Sequence, residues 1–154
     1  MQSALKALIP GLKIFPVGYA ASLLTNIAAQ RTDQASIDKG LEAFKQASSC
    51  DVIIAAGYSQ GAAVMHNAVR KLDEATKSKI AGVALFGDTL NKQENGHIKG
   101  FPQEKSKVWC NTNDGVCGGG LGVNAGHMSY SSSFKDAASW LSDRVKAAGS
   151  SSTT

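Results

Sequence analysis

The apolar run Val52-Ile53-Ile54-Ala55-Ala56 leads straight into Gly57-Tyr58-Ser59-Gln60-Gly61, and helical periodicity follows. A strand, a sharp turn and a helix in that order form the setting of a G-x-S-x-G nucleophile elbow. The two glycines let the backbone turn where a side chain would clash. The serine is then raised onto the top edge of a sheet, beside a helix N-terminus where developing negative charge is stabilised. The motif alone is weak in a Gly- and Ser-rich chain; its position after an apolar strand gives it weight.

The 154 residues suit one domain with a real core, and 43% of them are apolar. No window reaches the ~18 apolar residues of a membrane-spanning helix. The net charge of +4 is scattered, without the Lys/Arg run of a nucleic-acid arm, and at 6% aromatics there is no base-stacking platform. These features exclude nucleic-acid and membrane-spanning classes. Zinc is disfavoured because Cys110 and Cys117 lack a second Cys/His pair at ligand spacing. The two cysteines bracket a short loop and read either as a local disulfide, which implies an oxidising compartment, or as two reduced thiols. Cys50 is left over.

Residues 1–9 read as a helix stopped by Pro10-Gly11, and Leu12 to Val17 as a short strand. Residues 18–32 read as loop, with an apolar patch at Leu23, Leu24 and Ile27. Thr32-Asp33 caps a helix to about Ser48, with Ile37, Leu41 and Phe44 inward. After the strand 51–57 a helix runs to about Leu72, inner face Ala62, Met65, Val69 and Leu72. Ile80 to Phe86 is a buried strand, 88–105 a loop, Lys107 to Cys110 a short strand and 111–132 a long loop suited to function. Ser133 and Asp136 form a capping box for a last helix with Phe134, Ala138, Leu141 and Val145 on one face, ended by Gly149. Alternating strands and helices give an α/β fold with a mainly parallel sheet. Residues 1–149 form one domain and 150–154 a disordered tail.

A serine hydroxyl needs a base to take its proton, and the base needs an acid to fix its tautomer. On this fold class the chain order is Ser, Asp/Glu, His. His66 lies two turns beyond the elbow and reads as a half-exposed helix residue; His97 reads as a solvent-exposed loop residue. His127 comes late, in the loop Asn124-Ala125-Gly126-His127, and is the candidate base. Two acids compete: Asp88, directly after a buried strand, and Asp114, inside the cysteine-bracketed loop. Spacing favours Asp114.

The stretches DVIIAAGYSQGAA (51–63), KIAGVALFG (79–87), VWCNTNDGVC (108–117) and the later Gly126-His127 resemble the fungal cutinases over about residues 1–148. The resemblance implies a three-layer α/β/α hydrolase-type fold. It implies Ser59 as nucleophile, Asp114 rather than Asp88 as acid, His127 as base, and a Cys110–Cys117 disulfide. Gln60 then supplies one oxyanion N–H, and Leu121, Val123 and Met128 line an apolar substrate groove. Fungal cutinases begin with an interior strand whose loop supplies the other oxyanion donors and whose segment holds the partner of the cysteine matching Cys50. This chain is expected to lack that strand, a signal peptide and part of its activity. Gly118-Gly119-Gly120 and Gly122 depart from the family in making the groove wall more mobile.

The expectation is a secreted, extracellular, monomeric serine esterase, needing no metal or cofactor, that hydrolyses cutin-like polyester or lipid-like esters through an acyl-enzyme. Acetylxylan esterase and a non-catalytic remnant are the alternatives.

Overall fold

The computed structural model describes residues 1–22, 25, 28–120 and 122–151. Three parallel strands, β1 (Ile53–Tyr58), β2 (Ile80–Phe86) and β3 (Ser106–Trp109), form a sheet in that order. β1 and β2 run in register from Ala55 opposite Val83 to Tyr58 opposite Phe86, and β3 pairs Val83 to Phe86 with Ser106 to Trp109. Helix α2 (Gln34–Ala47) and helix α3 (Gln60–Lys71) cover one face. Helix α1 (Gln2–Leu8) and helix α5 (Phe134–Ser151) cover the other, and the short helix α4 (Glu74–Lys79) leads into β2. Helices on both faces of a parallel sheet make the three-layer α/β/α hydrolase-type arrangement.

Every residue of β2 is buried. A continuous apolar strand is the pattern of a sheet covered on both faces, and Gly82 lets α5 approach so closely that a Cβ there would lie 3.2 Å from Leu141 Cδ2. Helix α2 starts where Asp33 accepts from the Ser36 N–H at 2.9 Å, and its carboxyl is held below the ordinary range by the Ser36 hydroxyl and then by that N–H. Ile37 and Phe44 turn inward and Leu41 packs at the margin.

Several expectations need correction. Leu12 to Val17 is not a strand: among the described residues it has no ladder partner, and an apolar groove of about 500 Å³ lies between it and β1. Phe15 and Val17 line one wall, Ile54 and Ala56 another, and Phe44 and Leu5 look in from the two helical layers. β1 is therefore an edge strand that is only partly buried, although its composition is that of an interior one. Helix α4 occupies the stretch between Leu72 and Ile80, to which the sequence reading assigns no element. Gly149 does not end α5, which continues to Ser151. Asp136 accepts from Trp109 Nε1 at 3.0 Å and so anchors α5 to β3. The patch at Leu23, Leu24 and Ile27 lies outside the described residues, as do 152–154 of the tail.

Leu141 is fully buried between α5 and the sheet. Leu141→Ala is expected to cost about 2–5 kcal/mol, read as a lower urea midpoint at unchanged slope.

Candidate active site

The parallel ladder carries the chain to one end of the sheet, and three loops meet there. The first is the elbow. Gly57, the last but one residue of β1, lies beside α3, where a Cβ would come within 2.5 Å of the Gly61 carbonyl, so no side chain fits. Ser59 then takes φ 57° and ψ −119°, a conformation that costs a non-glycine residue about 1–3 kcal/mol. Its N–H still donates to Phe86 O at 2.9 Å, one step beyond the ladder. Gln60 is the first helical residue, so its N–H has no partner within the helix. Its buried side chain donates to Thr25 Oγ1 at 2.5 Å and Thr32 Oγ1 at 3.0 Å, which fixes the turn from below.

The second loop follows β3. The Cys110–Cys117 disulfide closes it, with Cα atoms 6.0 Å apart. Closing so short a loop leaves the enclosed residues few conformations. Asp114 sits inside and is buried. Its Oδ1 accepts from the Val116 N–H at 2.9 Å. Its Oδ2 faces His127 Nδ1 at 2.9 Å and accepts from the Tyr130 hydroxyl at 2.6 Å. Burial disfavours the carboxylate charge, but the bonds from Tyr130, His127 and Val116 more than offset it and hold the carboxyl below its ordinary range.

The third loop carries His127, which is also buried. Its Nε2 lies 2.8 Å from Ser59 Oγ, so an unbroken chain runs Ser59–His127–Asp114. The loop is held by asparagines: His127 N–H donates to Asn124 Oδ1 at 3.0 Å, and Asn111 Nδ2 donates to Gly126 O at 2.7 Å and Ser129 O at 3.0 Å. Gly87 underlies the imidazole at φ 55°, where a Cβ would meet His127 Cε1 at 2.8 Å. Tyr58 covers the ring from the solvent side, with centroids 5.1 Å apart, and its hydroxyl donates to His127 O at 2.8 Å.

Ser59, Asp114 and His127 thus come together from positions far apart in the chain. Gln60 follows Ser59 directly, as the first residue of α3. Val123 and Met128 stand at the surface, 53% and 68% exposed, with Met128 Sδ 3.4 Å from the Tyr58 hydroxyl. Leu121 lies outside the described residues. Tyr58, Tyr130, Asn111 and Asn124 were not singled out from the sequence. The Cys-bracketed Asn-Thr-Asn-Asp loop was the available cue for Asn111, the loop before His127 for Asn124 and the elbow motif for Tyr58; Tyr130 had none.

The other histidines do not enter the site. His97 Nδ1 lies 3.0 Å from Asn95 O in its own loop. His66 is not half-exposed but fully buried, with Nε2 2.6 Å from Asp88 Oδ2. Every residue of α3 from Gln60 to Val69 is buried, because α2, the sheet and the loop through Glu94 and Ile98 surround it. Asp88 is thus engaged with His66, and its Oδ1 accepts from the Leu90 N–H at 2.9 Å. Cys50 is a free thiol. Among the described residues no group of three or more His, Cys, Asp and Glu side chains is arranged to hold a metal ion, and no helix is long and apolar enough to cross a membrane.

Comparison with known proteins places this geometry in context. The family model "Cutinase" matches residues 2–145. Cutinase 3 of Emericella nidulans is 43% identical over 129 residues, 82% of this chain and 58% of its own length. Cutinase CUT1 of Pyricularia oryzae is 41% identical over 134 residues, 84% of this chain and 59% of its own length. The solved structure of Trichoderma reesei cutinase in complex with a C11Y4 phosphonate inhibitor superposes with a TM-score of 0.76 at 30% identity, covering 93% of this chain and 65% of that one. The chain spans about three-fifths of the length of the curated relatives it matches. With the match running through nearly all of its residues, the chain belongs to the cutinase family.

Proposed function

We propose that the protein is a secreted serine esterase that hydrolyses the carboxylic esters of cutin-like polyesters through a covalent acyl-enzyme. The observation that carries this reading is the hydrogen-bonded chain from Ser59 Oγ through both nitrogens of His127 to Asp114. Ser59 Oγ attacks the ester carbonyl as His127 Nε2 takes its proton. The carbonyl oxygen becomes negatively charged beside the Gln60 N–H, one donor at the positive end of α3. His127 then delivers the proton to the leaving alcohol. Water, deprotonated by the same imidazole, attacks the acyl-serine, and the acid departs as Ser59 regains its proton. Asp114 holds the Nδ1–H tautomer and stabilises the transient imidazolium without itself taking up a proton. Val123, Met128 and, in the same segment, Leu121 form the apolar contact for the acyl chain. The chain acts as a monomer.

The phosphonate complex of the Trichoderma reesei relative supports this reading, since a phosphonate presents a tetrahedral, anionic centre like the one ester hydrolysis passes through.

Hydrolysis of p-nitrophenyl butyrate by the purified chain, with acetylated xylan as counter-substrate, tests the activity. Ser59→Ala should lower kcat by about 10⁶; residual hydrolysis within tenfold of the parent would overturn the assignment.

Asp114→Asn should lower kcat by about 10⁴ and also change acid stability. A carboxyl whose folded pKa lies below its unfolded one stabilises the fold fully above the unfolded value, about 3.9. That contribution is lost as pH falls through the folded value. Thermal unfolding of Asp114→Asn should therefore decline less steeply in acid than that of the parent.

Gly57→Ala forces a methyl group against the Gly61 carbonyl. Displacing the elbow by about 1 Å should cost on the order of 10² in kcat/KM, with far-ultraviolet circular dichroism reporting whether α3 persists.

A further inference from the structure

We propose that Tyr130 is a positioning residue of this hydrolase, whose hydroxyl holds the Asp114 carboxylate and sets how strongly it retains a proton on His127. The inference rests on the Ser59–His127–Asp114 reading above and extends it by one member.

The Tyr130 side chain is buried, and its hydroxyl has two partners of opposite kind. It accepts from the Asn111 N–H at 2.9 Å, which orients the oxygen and leaves its proton for Asp114 Oδ2 at 2.6 Å. That same Oδ2 faces His127 Nδ1 at 2.9 Å. A short phenol–carboxylate bond is a strong one, and it draws charge away from the atom that the imidazole also uses. The ring is braced by Phe86 and Tyr58, both edge-on at 6.1 Å between centroids. The titratable groups around the hydroxyl are Asp114 in the disulfide loop, His127 beyond it, and Tyr58 at the end of β1; Cys117 Sγ, 3.8 Å away, is tied up in the disulfide. Burial, followed by the bond to Asp114, pushes the phenol well above its ordinary value, so it remains a donor across the working pH range.

The consequence has a definite sign. Without the phenol proton, Oδ2 keeps its full charge for His127 and holds the imidazolium more tightly. The base then becomes available only at higher pH. A better donor at the same place does the reverse.

The test is the pH profile of kcat/KM for p-nitrophenyl butyrate, measured on the parent, Tyr130→Phe and a chain carrying 3-fluorotyrosine at position 130, with Ser59→Ala alongside. The fluorinated phenol is the more acidic donor and nearly isosteric, so it reads out even if Tyr130→Phe folds poorly. Expected results are an acid limb moved to higher pH in Tyr130→Phe with kcat down about tenfold and KM nearly unchanged, and an acid limb moved to lower pH with 3-fluorotyrosine. A displaced downfield proton resonance from the His127 Nδ1–H would accompany both. An acid limb that stays in place in the 3-fluorotyrosine chain overturns the role of Tyr130 while leaving the triad intact, provided Ser59→Ala is inactive. Activity retained in Ser59→Ala overturns both readings together.

Discussion

The hydrogen bond from the Ser59 N–H to Phe86 O is where the sheet becomes a site. It extends the β1–β2 ladder by one residue at the point where Ser59 leaves strand geometry for a strained φ of 57°. The Gly87 N–H makes the equivalent step to Trp109 O at the end of β2. Because all three strands are parallel and in register, their carboxyl ends finish level, and the chains leaving them must share one small volume. A functional crevice at that edge is the general outcome of open α/β sheets. Here the close quarters are explicit: Gly57 has no room for a methyl group against α3, and Gly87 has none against His127.

A second polar system lies beneath the first and does different work. His66 and Asp88 are fully buried and 2.6 Å apart, with Glu94 Oε2 3.8 Å from the other ring nitrogen and Arg70 bound to Glu94 at 2.8 Å. Removing one member of such a pair strands a buried polar partner, so it is costly to break whatever its net contribution to stability. Asp88 follows Gly87 directly, and Asn91 Nδ2, three residues on, donates to Cys117 O at 3.2 Å. The pair therefore fixes the loop that lies between α3 and the disulfide loop. A histidine and an aspartate placed together need not be catalytic: among the described residues no serine hydroxyl bonds to His66, and Asp88 is occupied.

What could be read from the sequence follows from the range of each interaction. β2 is legible to the residue, because seven apolar positions between polar flanks describe a strand buried on both faces. Asp33 marks the start of α2 because capping is a contact over three residues. The Cys110–Cys117 loop and the order Ser59, Asp114, His127 carry enough local chemistry to be singled out. His66 was misjudged because its burial comes from three separate elements closing around α3, which periodicity along one helix cannot register. Leu12 to Val17 has strand composition, but a strand exists only through its neighbour, and β1 lies across a groove from it. Tyr130 stands nineteen residues from Asn111 and sixteen from Asp114. Its two hydrogen bonds leave no spacing signature.

These contacts divide the site into a rigid lower part and an open upper part. Below, Asp114 holds His127 through a buried hydrogen bond and is itself held by Tyr130, while Asn111 and Asn124 hold the His127 loop through partly exposed ones. Above, Val123 and Met128 stay exposed, and Tyr58 is the one aromatic that spans the boundary, its ring on the imidazole and its hydroxyl on His127 O. Exposed apolar side chains gain free energy when an apolar surface covers them, at roughly 25 cal/mol per Å². On the proposed reading, a rim of this kind recruits an ester by the apolar surface around it, while the network beneath holds His127 between Ser59 and Asp114 before the ester arrives. In that division Tyr58 matters most, since anything pressed onto the rim at Tyr58 also bears on the ring that covers His127.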